Sequence, residues 1–338
     1  MGSVRDTISR AVASASALAR IAPIIALGAW PAVAAPAEAV PAELALERVA
    51  DGVWVHLGRH EDLHAGNGGD VANLGVVVGE ASVAVIDAGA SHRIARALGA
   101  AVARITDRPI SHLVLTHAHP DHALGAGAFA GVGEVVAHAR FARAFGARAD
   151  ASRPRYAFAL EPGVPTALDP TVELAPGETR RIDLGGRTLL AIALPSAHTD
   201  HDLAILDEAT GTLFASDLAF EGRLPSLDGH LLGWLDALDA LASLEPALVV
   251  PGHGAPGGWD ETVGAQRAYL EALVDDVRLR VARGDTLAEV VAEAEAAGLP
   301  GAPHDSGGRA AAIGRGAALF ALQHPTNVTR AFVELEWE

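Results

Sequence analysis

The amino-acid sequence predicts an α/β fold in which β-sheets are layered with helices on the outside. Short apolar runs of the strand type alternate with segments of helical spacing. The order of strands followed by a helix occurs twice, and each half ends in a strand and a turn that carries histidine. Half of the 338 residues are hydrophobic and only 4% are aromatic, so the core must be built from aliphatic side chains.

The first half of the chain contains five predicted strands and three predicted helices. Alternating or continuous apolar runs indicate the strands, and Gly79-Glu80 indicates a hairpin between two of them. Apolar Ile94, Leu98 and Val102 have helical spacing. In chain order, strands are expected at residues 53–57, 74–78, 82–86, 112–115 and 134–137, and helices at residues 91–105, 122–129 and 141–149.

The second half begins after residues 150–171, which are rich in Pro, Arg and small residues and predict a surface loop. From residue 259 onward the pattern is almost entirely helical and ends in a helix at residues 327–337. Between these two regions, strands are expected at residues 179–184, 187–194, 203–206, 213–215 and 247–250, and a helix at residues 231–244.

The N-terminal residues have the pattern of an export signal. Arg5, Arg10 and Arg20 precede an apolar stretch, and residues 32–34 form a small-x-small cleavage site. We therefore expect a signal peptide at residues 1–34, a Pro/Ala-rich linker at residues 35–43, and a periplasmic or secreted protein. No later apolar run is long enough to span a membrane, so no integral membrane segment is expected in the mature chain.

The composition excludes several classes of chemistry. A formal charge of −17 argues against nucleic-acid binding, which needs a basic surface. All 25 basic residues are arginine, which excludes Schiff-base and P-loop lysines. The absence of cysteine excludes thiol nucleophiles, thiolate zinc sites, iron–sulfur clusters and disulfides. What remains is the chemistry of His, Asp, Glu, Ser and Tyr, and the chain has 15 histidines.

A cluster of metal-ligand residue types directly follows the predicted strand at residues 112–115. His117 and His119 are two residues apart, so their side chains can point the same way in an extended turn. Asp121 and His122 come at the start of a predicted helix. Neutral imidazoles and carboxylates bind Zn²⁺ and similar divalent ions. This one loop can therefore supply ligands to two neighbouring metals.

Three later residues repeat this arrangement, because each is a ligand type at the C-terminal end of an apolar strand. They are His198, Asp217 and His253. Open α/β sheets place their sites at such strand ends. Each residue alone has a structural alternative, as a loop histidine, a helix cap and a turn residue respectively. Together with the first cluster they provide five His and two Asp, which is enough for two metals.

With these residues in this order, the chain resembles the metallo-β-lactamase-fold superfamily over residues 45–256. The superfamily pattern is His-x-His-x-Asp-His, followed at wide spacings by a His, an Asp and a His. The resemblance implies a four-layer αββα sandwich, with a catalytic domain at residues 44–256 and a C-terminal helical extension packed on it at residues 257–338. It implies two metal sites that share Asp217 as a bridge, one formed by His117, His119 and His198 and the other by Asp121, His122 and His253.

Two further positions are interpreted through the same resemblance. The strand end at residues 85–89 resembles a superfamily element, which makes Asp87 either an orienter of a ligand histidine or a simple turn residue. Ser216 stands where a glycine usually precedes the metal-binding Asp217. Serine is small, so we expect the fold to tolerate it.

The residue type at position 217 distinguishes several branches of the superfamily. One class of zinc β-lactamase has Cys at this position and another lacks the bridging carboxylate, whereas glyoxalase-II-like thioesterases, lactonases and related hydrolases keep it. The flavodiiron branch has Glu in the place of His119. Nucleic-acid-processing branches have extra domains and basic surfaces, unlike this acidic chain.

Four stretches are similar to an exported subgroup, the quinoprotein relay system zinc metallohydrolases, also described as SoxH-like. They are residues 66–73, 106–110, 196–202 and 225–229. This resemblance implies an association with a periplasmic quinoprotein alcohol dehydrogenase or a cytochrome partner. It implies no particular substrate, and the oligomeric state is left open.

The predicted function is that of an enzyme, an exported binuclear zinc hydrolase that acts on a small molecule. A hydroxide shared by two Zn²⁺ ions would attack an ester, thioester, lactone or similar carbonyl. Asp121 is the predicted catalytic residue, as metal ligand and as orienter of the hydroxide. Iron is the alternative metal. Three other functions stay open: a mononuclear iron enzyme like the persulfide dioxygenases, a zinc β-lactamase, and a non-catalytic accessory metal-binding protein of a periplasmic dehydrogenase.

The sequence defines the substrate-binding residues less closely. Residues 66–69 do not lead from a strand into a helix as phosphate-binding loops do, and we expect them to form a flexible flap between early strands. His201 either donates to the substrate or, as we expect, is a solvated loop histidine. Three residues of the long loop either bind an acid group of the substrate or lie at the surface: Arg153, Arg155 and Tyr156. Three further candidates for the rim of the pocket are Asp228, His60 and His64.

Overall fold

The computed structural model describes residues 43–152, 156–165, 168–299, 301–302 and 306–337. The predicted signal peptide, nearly all of the predicted linker, and Arg153 and Arg155 lie outside the described residues. Within the described ranges, no helix combines the length and the hydropathy needed to cross a membrane. All seven predicted metal ligands lie inside these ranges.

Seven strands form the first sheet in the order β1-β2-β3-β4-β5-β6-β7. They are β1 (Glu47–Ala50), β2 (Val53–His56), β3 (Leu74–Val78), β4 (Val83–Ile86), β5 (Ile110–Leu115), β6 (Glu134–His138) and β7 (Val172–Leu174). The strands from β1 to β4 pair antiparallel, and those from β4 to β7 pair parallel. Parallel neighbours need crossover connections, which contain α1 (His92–Ile105), α2 (Pro120–Ala123) and α3 (Phe141–Ser152).

The second sheet has five strands in the order β12-β11-β10-β9-β8. They are β8 (Thr179–Asp183), β9 (Thr188–Ala193), β10 (Leu203–Asp207), β11 (Thr212–Phe220) and β12 (Leu248–His253). Its neighbours are antiparallel except β11 and β12, which are parallel and joined through α4 (Leu231–Ala242). The chain then forms α5 (Trp259–Arg283), α6 (Leu287–Ala297), α7 (Gly308–Gly314) and α8 (Phe320–Leu335).

Three apolar cores fill the spaces between the layers. Alternate residues of a strand face opposite sides of its sheet, so one strand contributes to two cores. In β5, Val114 packs between the sheets, whereas Leu113 and Leu115 pack with α1. In β11, Phe214 packs between the sheets, whereas Leu213 packs with α4 and α5. Valine, leucine, isoleucine and alanine make up most of these cores, as the low aromatic content predicts. The predicted four-layer αββα architecture with C-terminal helices is therefore confirmed.

Some element predictions were wrong. The short strands β1 and β7 were not predicted. The helix expected at residues 122–129 consists of α2 and a separate 3₁₀-helix at Ala126–Phe129. Between them Gly125 packs on backbone, where a Cβ would lie 2.2 Å from the carbonyl oxygen of Ala88. Strand β11 runs on to Phe220, which pairs with His253 of β12, and all nine of its residues are buried. Helix α8 begins earlier than expected and includes Pro325, a residue that argues against helix in a sequence.

Candidate metal centre

The predicted ligands gather where strands of both sheets end. Four of them follow β5, one follows β9, and the others lie in β11 and β12. Their ligand atoms form two groups, and within each group all atoms lie within 4.8 Å of one another. We name His117, His119 and His198 the tri-histidine site, and Asp121, His122 and His253 the Asp-His-His site; Asp217 belongs to the first group.

Asp217 lies between the two sites and faces each with one carboxylate oxygen. Its Oδ2 is 3.4 Å from Nε2 of His198 and 3.6 Å from Nε2 of His117. Its Oδ1 is 3.0 Å from Nε2 of His122 and 3.4 Å from Nε2 of His253. This is the position that a bridging ligand requires.

Several polar atoms at the centre are buried and, although other ligand atoms lie as close as 3.0 Å, form no hydrogen bond of acceptable geometry with the described residues. They are Nε2 of His117, His122 and His253, and Oδ1 of Asp217, on side chains of residues that are at most 3% exposed. Burying such atoms unpaired costs free energy. Divalent cations between the two groups would satisfy all of them, and imidazole with carboxylate is a donor set that zinc accepts. The residues therefore fit a pair of metal sites.

The outward-facing nitrogen of each histidine lies within hydrogen-bond distance of an oxygen that can accept a hydrogen bond from its N–H. Such contacts fix the ring orientation, so that the other ring nitrogen faces inward, where it can bind a metal. His119 is oriented opposite to the rest, because its Nδ1 faces inward, 3.0 Å from Nε2 of His198. The five contacts are His117 Nδ1 to Thr116 Oγ1 at 3.1 Å, His119 Nε2 to Asp228 Oδ2 at 3.2 Å, His122 Nδ1 to Asp87 Oδ2 at 2.8 Å, His198 Nδ1 to Ser226 O at 2.7 Å, and His253 Nδ1 to Val71 O at 2.7 Å.

Asp87 has the orienting role proposed from the sequence rather than that of a simple turn residue. It follows β4 with a φ of 61°, which Asp adopts more readily than most residues. Its carboxylate accepts hydrogen bonds from the backbone N–H of Thr116 at 2.8 Å and from Nδ1 of His122 at 2.8 Å. The hydroxyl of Ser216, whose φ is 48°, lies 2.8 Å from Thr116 Oγ1 and donates to Asp87 at 3.2 Å. The fold thus accommodates Ser216, and its hydroxyl joins the network beneath the ligands.

The turn that carries His253 is fixed by Asn73 and by close packing on β11. The Asn73 side chain donates to the carbonyl oxygens of Pro251 at 2.9 Å and Gly254 at 2.8 Å. Gly252 lies against Asp217 so closely that a Cβ would be 1.9 Å from Oδ1. The sequence assigned no individual role to Asn73 or Gly252, because their roles depend on contacts between distant segments.

Aromatic side chains pack behind the ligands. Phe220 stacks on His253 with ring centroids 5.3 Å apart, and Trp234 contacts His198 edge to face at 5.2 Å. Both aromatic residues are buried. They exclude water from the back of the centre, which strengthens the electrostatic interactions of the ligands.

Burial and mutual proximity set the charges of the ligands. Burial lowers the pKa of His117 and of His198 well below the usual value, and neighbouring histidines add to the effect. His122 differs: burial opposes its charge, but Asp217, Asp87 and Asp121 together raise its pKa well above the usual value. Burial likewise opposes ionisation of Asp217, but His122 and His253 hold the pKa of its carboxyl well below the usual range.

The other candidates from the sequence lie in varied surroundings. The prediction that His201 is solvated was wrong: it is 2% exposed, because the turn in which Thr199 contacts Asp202 directs it inward. Tyr156 packs against the apolar core beside α1. His60 and His64 lie in the loop between β2 and β3, where His64 caps a 3₁₀-helix at Ala65–Asn67 that includes part of the Gly-rich segment. Asp228 contacts a ligand, His119, rather than only lining the rim.

Comparisons with known proteins agree with this geometry. A family model described as the metallo-beta-lactamase superfamily matches residues 67–253, and curated proteins give no match. A metallo-beta-lactamase from Pontibacter korlensis has 21% identity and a TM-score of 0.54, covering 68% of this chain and 99% of its own. One from Hirschia baltica has 20% identity and a TM-score of 0.52, covering 68% and 97%.

The similarity is more extensive for a stereoselective inverting sec-alkylsulfatase from Pseudomonas sp. It has 19% identity and a TM-score of 0.60, covering 86% of this chain and 50% of the sulfatase. At these identities the structures show the fold, whereas the family model covers more than half of the sequence and includes all seven predicted ligands. The chain therefore belongs to the metallo-beta-lactamase superfamily, whose members are metal-dependent hydrolases.

Proposed function

We propose that this chain is a binuclear zinc hydrolase that acts on an ester, thioester, lactone or similar carbonyl substrate. The observation that supports this most directly is the position of Asp217, whose two carboxylate oxygens face two separate groups of imidazole nitrogens. Three of those nitrogens, on His117, His122 and His253, are buried and have no hydrogen-bond partner among the described residues.

The residues around the centre can divide the work of hydrolysis. When bound, two divalent metals supply a nucleophile by lowering the pKa of water toward about 7, and they polarise the carbonyl. Asp121 has a side chain that is 14% exposed, against 4% for Asp217, so it is the carboxylate that an entering water or substrate reaches first. We assign Asp121 the role of accepting a hydrogen bond from the attacking water and Asp217 the role of holding the two sites together.

No protein nucleophile is needed for this reaction. The chain has no cysteine, and the candidate ligand side chains of the centre are imidazoles and carboxylates. Asp87 and the acceptors of the outward-facing nitrogens keep the ligand histidines in fixed orientations, which preorganises the site before substrate arrives.

Export and a quinoprotein link are finer parts of the same proposal. Export is supported by the signal-like pattern of residues 1–34, and a link to a periplasmic quinoprotein dehydrogenase is supported by the four stretches that resemble the exported subgroup. Detection of the chain in the periplasmic fraction, trimmed at its N-terminus, would agree with export. Retention of the whole chain in the cytoplasm would contradict it.

Metal analysis of the purified mature chain, residues 35–338, tests the proposal. Two zinc ions per chain would support it. One iron per chain would instead favour a mononuclear iron enzyme such as a dioxygenase, and oxygen uptake would then be measured. Absence of bound metal after zinc is supplied would refute the two-site interpretation.

Asp217→Ala is the matching variant. Because both sites lose a ligand oxygen, we expect the second metal and hydrolytic turnover to be lost together. Asp275→Ala is the control, since Asp275 is 68% exposed and pairs with Arg309 at the surface. Wild-type metal content and turnover in Asp217→Ala would contradict the bridging role.

A substrate screen should contain carbonyl esters, thioesters, lactones and nitrocefin. Turnover of any of the first three would support the proposed reaction, and turnover of nitrocefin alone would favour a β-lactamase. A secondary alkyl sulfate belongs in the screen because similarity to the sec-alkylsulfatase covers 86% of this chain. Inactivity of a fully metal-loaded chain on every class would favour an accessory metal-binding protein.

A further inference from the structure

The tri-histidine site is supported by residues 225–232, which lead from the segment after β11 into the first turn of α4 and which we name the support loop. The carbonyl oxygen of Ser226 accepts Nδ1–H of His198 at 2.7 Å. The carboxylate Oδ2 of Asp228 lies 3.2 Å from Nε2 of His119. Two of the three imidazoles of this site therefore depend on the support loop for their orientation.

Backbone hydrogen bonds join the support loop to the turn that carries His198. The N–H groups of Asp228 and Gly229 both donate to the carbonyl oxygen of His198, at 3.0 Å and 2.7 Å. The N–H of His230 donates to the carbonyl oxygen of Ala197 at 2.9 Å. A displacement of the support loop would therefore move a metal ligand with it.

The last helix, α8, contacts the support loop with polar residues at i, i+3 and i+7. This spacing places Asn327, Arg330 and Glu334 on one face of the helix. Asn327 accepts the N–H of Leu227 at 2.9 Å and donates to the carbonyl oxygen of Pro225 at 2.7 Å. It is fully buried, so these contacts hold the start of the loop firmly.

Arg330 and Glu334 hold the middle and the end of the support loop. Nη2 of Arg330 donates to Oδ1 of Asp228 at 2.8 Å, which directs the other oxygen, Oδ2, to His119. The carboxylate of Glu334 accepts the first two N–H groups of α4, those of residues 231 and 232, at 2.7 Å and 3.0 Å. Such N–H groups have no partner within their own helix.

The Asp-His-His site is supported from elsewhere. Its two histidines donate to Asp87, which follows β4, and to the carbonyl oxygen of Val71, in the loop before β3. Both acceptors belong to the first half of the chain, and Nη1 of Arg223, just before the support loop, also lies 3.1 Å from Nδ1 of His253. The family model ends at residue 253, so α8 lies outside the region that it matches.

We propose that α8 is a positioning element for the tri-histidine site, acting through Arg330 and Asp228 to hold His119 with Nδ1 toward the metal. This inference rests on the proposed metal-dependent function. Neither Arg330 nor Asp228 is a catalytic residue here, because both act through His119. The C-terminal helices thereby contribute to the metal centre without supplying a ligand.

Zinc affinity tests the proposal, measured on the full chain by competition with a chelating dye that resolves the two binding steps. Contacts to ligand histidines contribute about 10–100-fold to metal affinity. We expect Asp228→Ala to weaken zinc binding at the tri-histidine site in that range. Arg330→Gln should weaken the same step by a smaller factor than Asp228→Ala, because the carboxylate remains but loses its orientation.

The histidine side-chain nitrogens provide a readout that a general loss of stability would not change. In zinc-loaded chain labelled with ¹⁵N-histidine, Nε2–H of His119 should give a hydrogen-bonded proton signal. This signal should be lost in Asp228→Ala and altered in Arg330→Gln, while the signal of Nδ1–H of His122 stays unchanged in both.

Arg309→Gln is the matched control for the loss of one positive charge. Arg309 lies in α7, is 65% exposed and pairs with Asp275. We expect wild-type affinity at both sites in this variant. Equal affinities in Arg330→Gln and Arg309→Gln would overturn the role of α8, as would Asp228→Ala weakening both sites equally. A wild-type chain that binds no zinc would instead refute the proposed function itself.

Discussion

Replacement of Gly252 by alanine is expected to displace Asp217 from its position between the two metal sites. Gly252 is the residue before His253 in β12, and it packs against β11. A Cβ at this position would lie 1.9 Å from Oδ1 of Asp217, and 2.8 Å from both the backbone nitrogen of Asp217 and the carbonyl carbon of Ser216. Two of these three atoms are backbone and cannot move by a change of rotamer.

The size of the displacement follows from these distances. Ordinary contact begins near 3.4 Å, so the carboxylate oxygen must move by roughly 1.5 Å if the strands stay in place. Metal–ligand distances are tolerated within about 0.2 Å, so Asp217 would leave at least one metal. Misplacement by about 1 Å lowers catalysis about 10²-fold. Overpacking of this kind also costs about 1–3 kcal/mol of folding free energy.

Metal content, turnover and thermal unfolding of Gly252→Ala should be measured together. We expect fewer than two metals per chain and at least a hundredfold loss of turnover, with a cooperative unfolding transition retained at lower temperature. Gly264→Ala is the control. Gly264 lies in α5, and among the described residues no atom apart from the neighbouring helix backbone lies within 4 Å of where its Cβ would be. Helix propensity also favours alanine there by about 1 kcal/mol. Two tightly held metals and wild-type turnover in Gly252→Ala would refute the reasoning.

Two further predictions concern stability. Arg187 lies between the sheets, donating to Asp207 at 2.7 Å and to the carbonyl oxygen of Asp51 at 2.7 Å, and the Asp207 side chain is fully buried. Arg187→Met should therefore lower the free energy of unfolding in urea by about 3–5 kcal/mol, and a loss below about 1 kcal/mol would contradict this. Burial lowers the pKa of His324 to about 4, so as pH falls from 6.5 toward 4 the unfolded chain takes up this proton first and about 3 kcal/mol of stability is lost. Metal-free His324→Gln should lose correspondingly less stability over that interval than the metal-free wild type; parallel pH profiles would contradict the assignment.

The fold was predictable because alternating residues of each strand face different cores. In β5, Val114 and its neighbours Leu113 and Leu115 are all apolar, which indicates a strand buried on both faces. The strands that were missed, β1 and β7, are three or four residues long and only partly buried, so they carry little pattern. Pro325 obscured the start of α8 for a different reason, because its missing N–H normally disfavours a helix interior.

The candidate ligands were predictable because their residue types recur at strand ends, but most of their supports were not. Two of the oxygens that accept hydrogen bonds from ligand histidines are main-chain carbonyls, those of Val71 and Ser226. Every residue has such a carbonyl, so the residue type does not reveal which one is used. Asp228 is 109 residues from His119, so only the fold brings them together. Asp87 could be proposed because a known motif contains it, not because of its spacing from His122.

The two sites share one carboxylate, but the oxygens that orient their histidines come from different parts of the chain. The Asp-His-His site is oriented by Asp87 and Val71, which belong to the first half of the chain. The tri-histidine site is oriented by the support loop, which α8 holds in turn. Asp217 lies in β11, buried between these regions, and faces both sites. Helix α8 thus reaches the tri-histidine site through Arg330 and Asp228, without supplying a ligand.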